Sequence, residues 1–142
     1  MASRSPALPS GSPTLLVIDD EPAITTLVKR IAEPYGYRVF ATSDPDQFKQ
    51  RCLAGPPDLI CLDVAMPRVD GIELMQFLAG EQCRSRLLIM SGSDPQLLHS
   101  ALSLGDALGL EVLGTLAKPL RIDELRAVLE SLRPLFIRRG SA

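Results

Sequence analysis

Asp19-Asp20, Asp63, Ser91 and Lys118 each end a short apolar run, and together they offer three acids, one hydroxyl and one ammonium. Three carboxylates brought within a few ångströms repel one another, so either some are protonated or a cation joins them. A hard divalent ion with oxygen ligands, Mg2+ above all, suits such a set. No His and no Cys pair stands at these positions to suggest zinc. Lys118 supplies compact positive charge and Ser91 a hydroxyl donor, a combination that fits a tetrahedral oxyanion with phosphoryl as the natural guest. A carboxylate can itself accept the phosphoryl group as an acyl phosphate, because positioning and charge stabilisation are most of what that transfer needs.

Apolar runs at 15–18, 59–62 and 87–90 read as strands buried on both faces. Arg38–Thr42 and Glu111–Leu116 carry polar or glycine residues and suit sheet edges. Between the strands lie five helical patterns. Pro22 opens the first, whose stripe is Ile24, Leu27, Val28 and Ile31, and Asp44-Pro45 opens the second, with Phe48 and Cys52 inward and an end by Gly55. Asp70-Gly71 opens the third and Asp94-Pro95 the fourth, which has a broad apolar face of Leu97, Leu98, Ala101, Leu102, Leu104, Ala107 and Leu108. The fifth carries Leu125, Val128, Leu129 and Leu132. Alternating strands and helices predict a parallel α/β sheet covered on both sides, with ligands at the carboxyl ends of its strands. Every chemical candidate stands at one of those ends.

The chain of 142 residues is 46% hydrophobic, which suits one domain with a real core. Residues 1–13 read as a disordered N-terminal tail, 14–133 as the domain, and 134–142 as a tail or the start of a linker. A formal charge of −2 argues against direct nucleic-acid binding and against an anionic membrane surface. No apolar run is long enough to cross a bilayer, so a soluble cytoplasmic protein is expected. Cys52, Cys61 and Cys83 lack metal-ligand spacing and read as core filler in a reducing compartment.

Each candidate also has a plainer reading. Asp19 and Asp20 could cap the helix that Pro22 opens, Lys118 could be an ordinary surface lysine, and Ser91-Gly92-Ser93 is a plain turn composition. His99 reads as a surface residue in the fourth helix, and Arg138-Arg139 as a solvated tail. An aspartyl-phosphate hydrolase would place a second Asp two residues after its nucleophile. Here Glu21 follows Asp19 at that spacing.

From Thr14 to about Leu132 the chain resembles the receiver domain of two-component response regulators. The resemblance rests on Asp19-Asp20, on Asp63 in Leu62-Asp63-Val64-Ala65-Met66-Pro67, on Asp70-Gly71, on Ser91 and on Lys118-Pro119. It implies a flavodoxin-like five-stranded sheet of order 2-1-3-4-5 and a regulatory module that catalyses its own phosphorylation and dephosphorylation. Asp63 would accept phosphate from a histidine kinase or a histidine phosphotransfer protein. Asp20 would bind Mg2+ directly and Asp19 largely through water, with Asp63 and the Ala65 carbonyl completing the metal site. Ser91 and Lys118 would then hold the phosphoryl group. Small residues at Ala65 and Ser93 would influence the phosphate's lifetime, and the Lys118–Pro119 bond would be cis.

Two features depart from the family pattern. Thr115 stands where receivers commonly carry an aromatic switch residue, and the fourth-helix region, Ser93 to Gly109, is about a turn longer than usual. With Val112 to Pro119, that length gives a weaker resemblance to receivers attached to EAL-type cyclic-di-GMP phosphodiesterases. An alternative of another class is a non-phosphorylated interaction module that forms a homodimer through the fourth helix, fifth strand and fifth helix.

Overall fold

The computed structural model describes residues 11–136. Five parallel strands, β1 (Thr14–Ile18), β2 (Arg38–Thr42), β3 (Leu59–Asp63), β4 (Arg86–Ser91) and β5 (Glu111–Ala117), form one sheet in the order β2-β1-β3-β4-β5. The helices are α1 (Pro22–Ala32), α2 (Pro45–Ala54), α3 (Gly71–Gly80), α4 (Pro95–Leu108) and α5 (Ile122–Leu132). The order is the expected one, and the three most apolar strands lie at its centre. Polar β2 and β5 take the edges, where one side of the backbone can meet water.

Alternation along the central strands divides their side chains between two cores. Leu15, Val17, Leu59, Cys61, Leu88 and Met90 face α1 and α5, whose Val28, Ile31, Leu125 and Leu129 cover them. Leu16, Ile18, Ile60, Leu62, Leu87 and Ile89 face the other helices, meeting Phe48, Leu74, Met75, Leu78 and Ala101. A run with no polar residue is needed because both faces are dry.

Three helices start on the same device. The side chains of Asp44, Asp70 and Asp94 accept hydrogen bonds from the N–H groups of Asp46, Ile72 and Gln96, satisfying donors that the first turn leaves unpaired. Gly109, at φ +76°, ends α4 in the left-handed region that glycine enters freely. β5 carries an irregularity that the sequence pattern did not reveal: its register against β4 slips between Leu87 and Leu88, so Leu87 faces Val112 while Leu88 faces Gly114.

Packing continues past both expected boundaries. Pro13 is buried and its carbonyl accepts from the N–H of Arg38. Arg133–Phe136 form a 3-10 turn rather than a tail, and Phe136 is buried edge-on against Tyr37 with ring centroids 6.1 Å apart. A buried aromatic offsets the cost of ordering that extra turn. Residues 1–10 and 137–142, with most of the expected N-terminal tail and the Arg138-Arg139 pair, lie outside the described residues.

Gly71 locks α3 to the strand that carries Asp63. A Cβ built there would lie 2.6 Å from Cα of Val64 and 3.0 Å from the carbonyl oxygen of Asp63, both backbone atoms. Gly71→Ala should therefore cost about 1–3 kcal/mol of stability through forced backbone movement, read as a lower urea midpoint. A midpoint equal to the parent's would show that the β3–α3 loop yields freely.

Candidate functional site

β1, β3, β4 and β5 end side by side, and their ends carry the groups singled out above. Asp63 is the last residue of β3 and pairs in register with Met90 of β4. Its carboxylate is 1% exposed, so neither oxygen can rely on bulk water. Oδ1 accepts from the Ala65 N–H at 2.8 Å, and Oδ2 accepts from Lys118 Nζ at 2.8 Å. The strand ends by folding its backbone onto its own carboxylate.

Asp19, one residue beyond β1, repeats this geometry. It is fully buried, and its Oδ1 accepts from the Glu21 N–H at 2.9 Å. Its Oδ2 lies 2.5 Å from Lys118 Nζ. One ammonium thus bridges two buried carboxylates from neighbouring strands. Neither Asp19 nor Asp20 is the N-cap of α1: Glu21 occupies that position, and its own side chain makes no cap hydrogen bond.

Lys118 is tied into this position through its backbone N–H. Its own N–H donates to the carbonyl of Ser91 at 2.8 Å, which ties the end of β5 to the end of β4, and the Lys118–Pro119 bond is cis as the resemblance implies. Burial alone would lower the lysine's pKa. The hydrogen bonds and charges of Asp19 and Asp63 outweigh it and hold the ammonium above its usual value. Ser91 is itself buried at the end of β4, beside this pair.

Asp19, Asp20 and Glu21 bring one carboxylate oxygen each to within 4.8 Å of one another. An all-oxygen, all-acid donor set of this kind fits Mg2+ and suits neither zinc nor a soft metal. Glu21 is the residue that sequence reasoning passed over. It lies 3.7 Å from Lys118 Nζ and belongs to the acid cluster, yet in the sequence it served only to argue against a hydrolase and was not named as a site residue. The unbroken acidic triplet was the signal. Thr115 is exposed on β5, in register with Ile89, and His99 is exposed on α4.

Burial, above all, pushes the Asp19 carboxyl up from 3.8 to about 6; the hydrogen bonds from Lys118 and Glu21 oppose it, and the nearby Asp63 charge adds to it. The folded chain therefore holds this proton more tightly than the unfolded chain does. The contribution to stability is most favourable below about pH 4 and is lost as the pH rises through about 6. In chelator at pH 7.5, Asp19→Asn should stabilise the protein by on the order of 2 kcal/mol in urea unfolding, with the gain fading toward pH 4. A variant no more stable than its parent at pH 7.5 would contradict this cost.

The response regulator receiver domain profile matches residues 15–130. Sporulation initiation phosphotransferase F of Bacillus subtilis is 28% identical over 122 residues, covering 85% of this chain and 94% of that protein. The alkaline phosphatase synthesis transcriptional regulatory protein PhoP of the same organism is 35% identical over 82 residues, 58% of this chain, and the match spans only 34% of PhoP. A response regulator structure from Colwellia psychrerythraea superposes with a TM-score of 0.75 at 33% identity, covering 87% of this chain and 98% of that one. The β2-β1-β3-β4-β5 sheet, its acid-rich carboxyl edge and the matched profile lead to one conclusion: the chain belongs to the receiver-domain family of response regulators.

Proposed function

We propose that this receiver takes a phosphoryl group onto Asp63 from a phosphohistidine of a kinase or phosphotransfer protein. The carrying observation is the Asp63 carboxylate at the end of a central strand, held by Ala65 N–H and by the Lys118 ammonium that it shares with Asp19. Asp63 Oδ2 attacks phosphorus, the P–N bond breaks, and the departing imidazole nitrogen keeps the electron pair and takes up a proton. Lys118 follows the negative charge from the carboxylate to the phosphoryl oxygens. Ser91, buried beside them, offers its hydroxyl to the same oxygens.

Asp19 and Asp20 are the proposed metal residues, with Asp63 and the Ala65 carbonyl beside them. Bound Mg2+ would neutralise charge on the phosphoryl oxygens. It would also relieve the repulsion among the acids that Lys118 alone now balances. The chain spans about a third of PhoP and 94% of sporulation initiation phosphotransferase F. α4 suits a protein contact: only Ala101 and Gly105 of its 14 residues are fully buried, while its leucines are half covered. A homodimer through α4, β5 and α5 is the proposed use of that face.

Incubation with acetyl phosphate and Mg2+ should label the parent with a hydroxylamine-sensitive phosphate, and Asp63→Asn should carry none. Full labelling of Asp63→Asn would sink the assignment. Millimolar Mg2+ should raise the melting temperature by linkage, and Asp20→Asn should lose most of that rise. An equal rise in both proteins would place the ion elsewhere.

A further inference from the structure

β2 is an edge of the sheet, and beside it lies a cavity of about 520 Å3. The strand's hydrogen bonds fix which residues face outward. Arg38 donates its N–H to the Pro13 carbonyl at 2.8 Å, and the Thr42 carbonyl accepts from the Asp19 N–H at 3.3 Å, so both turn toward β1. Alternate residues of a strand turn their backbone groups to alternate sides, so Val39 and Ala41, one step out of phase with these two, direct N–H and C=O to the open edge. Both residues line the cavity.

A helix stands on either face of that edge. α1 covers the face that holds Val39, and α2 the face that holds Phe40. Lys29 comes from α1 and Arg51 from α2, and both line the cavity, whose ten lining residues include no acid. Among the described residues neither cation forms a salt bridge. Arg51 is already placed: its Cζ lies 3.7 Å from the centroid of the Phe40 ring, a stacking that fixes the guanidinium plane and leaves its N–H edge for an oxygen acceptor. The chain carries a net charge of −2, so this basic groove runs against its overall sign.

We propose that the β2 edge is a docking groove for an extended segment of a partner protein, one that carries two adjacent acidic residues and adds to the sheet as a further strand. The open N–H and C=O groups of Val39 and Ala41 bond its backbone. Successive side chains of a strand point to opposite faces, so neighbouring acids reach Arg51 on one face and Lys29 on the other. Arg51 offers paired N–H donors to a carboxylate, and Lys29 a point charge. Basic residues also guard an edge against unwanted pairing, and here they discriminate among occupants. A second copy docked edge to edge would set Lys29 and Arg51 against their own mates. Residues 1–10 and 137–142 hold Arg4, Arg138 and Arg139 and no acidic side chain, so neither stretch supplies the complement. An acidic segment of another protein does.

The test uses the full chain and a fluorescein-labelled, end-blocked peptide of sequence Thr-Val-Glu-Glu-Val-Thr at physiological salt. Anisotropy should saturate by millimolar protein, and the Val39 and Ala41 amide signals should shift in NMR spectra of the complex. Lys29→Glu and Arg51→Glu should each weaken binding by about tenfold or more, since like charges then face each other. Ala41→Pro, which removes an outward N–H and spares the bonds to β1, should abolish binding while Asp63 still takes label from acetyl phosphate. A peptide with lysines in place of its glutamates should not bind, and inorganic phosphate at equal concentration should not displace the acidic one. Both charge reversals lie at exposed helix positions, so they decide the question even if Ala41→Pro fails to fold. No saturation at millimolar protein, unchanged affinity in either charge reversal or in a folded Ala41→Pro, displacement by phosphate, or self-association through this edge would overturn the proposal. Labelling of Asp63 is a separate readout, so failure here leaves the phosphorylation reading standing.

Discussion

The ammonium of Lys118 between Asp19 and Asp63 is the constraint to which the carboxyl end of the sheet is built. Two buried carboxylates on adjacent strands would repel through a medium of low dielectric, and burying even one unpaired charge is costly. One lysine resolves both problems because the end of β5 is tied to the end of β4 by the Lys118 N–H to Ser91 carbonyl bond. The arrangement also carries a cost in stability, visible in an Asp19 carboxyl pushed up to about 6. Folding tolerates that cost in a site whose acids are suited to a cation and a phosphoryl group.

The rest of the molecule holds those strand ends at fixed spacing. Dry cores on both faces give the central strands no freedom of register, since a slip of one residue would exchange the two sets of side chains. At the β3 end the local backbone does the remaining positioning. Asp63 folds over the Ala65 N–H, and Gly71 presses α3 against Val64, so the acid can be displaced only by moving the start of a helix.

The elements beside this site are packed differently from the site itself. Asp19, Asp63 and Ser91 are buried, whereas α4 is half covered and β5 is an edge strand with an irregular register. Thr115, exposed on β5 where receivers commonly carry an aromatic, is too small to fill a pocket by rotating inward. Beside it, α4 and β5 pack closely, with Gly105 against Val112 and Met75.

Much of this was legible before any coordinates. Apolar runs without polar interruption mark strands buried on both faces, Asp-Pro and Asp-Gly pairs mark helix starts, and acids that end such runs must gather at one edge. Periodicity and turn chemistry are local properties, so Asp19, Asp20, Asp63, Ser91 and Lys118 could be named from them. Pairings between distant residues could not. That Lys118 bridges Asp19 and Asp63, that Glu21 joins the acid cluster, and that Phe136 packs on Tyr37 beyond the expected boundary all depend on distances set by how strands stack. Sequence alone determined which residues end the strands, because local patterns encode the strands; tertiary structure decided which of those residues share a counter-charge, because only packing sets the distances between them.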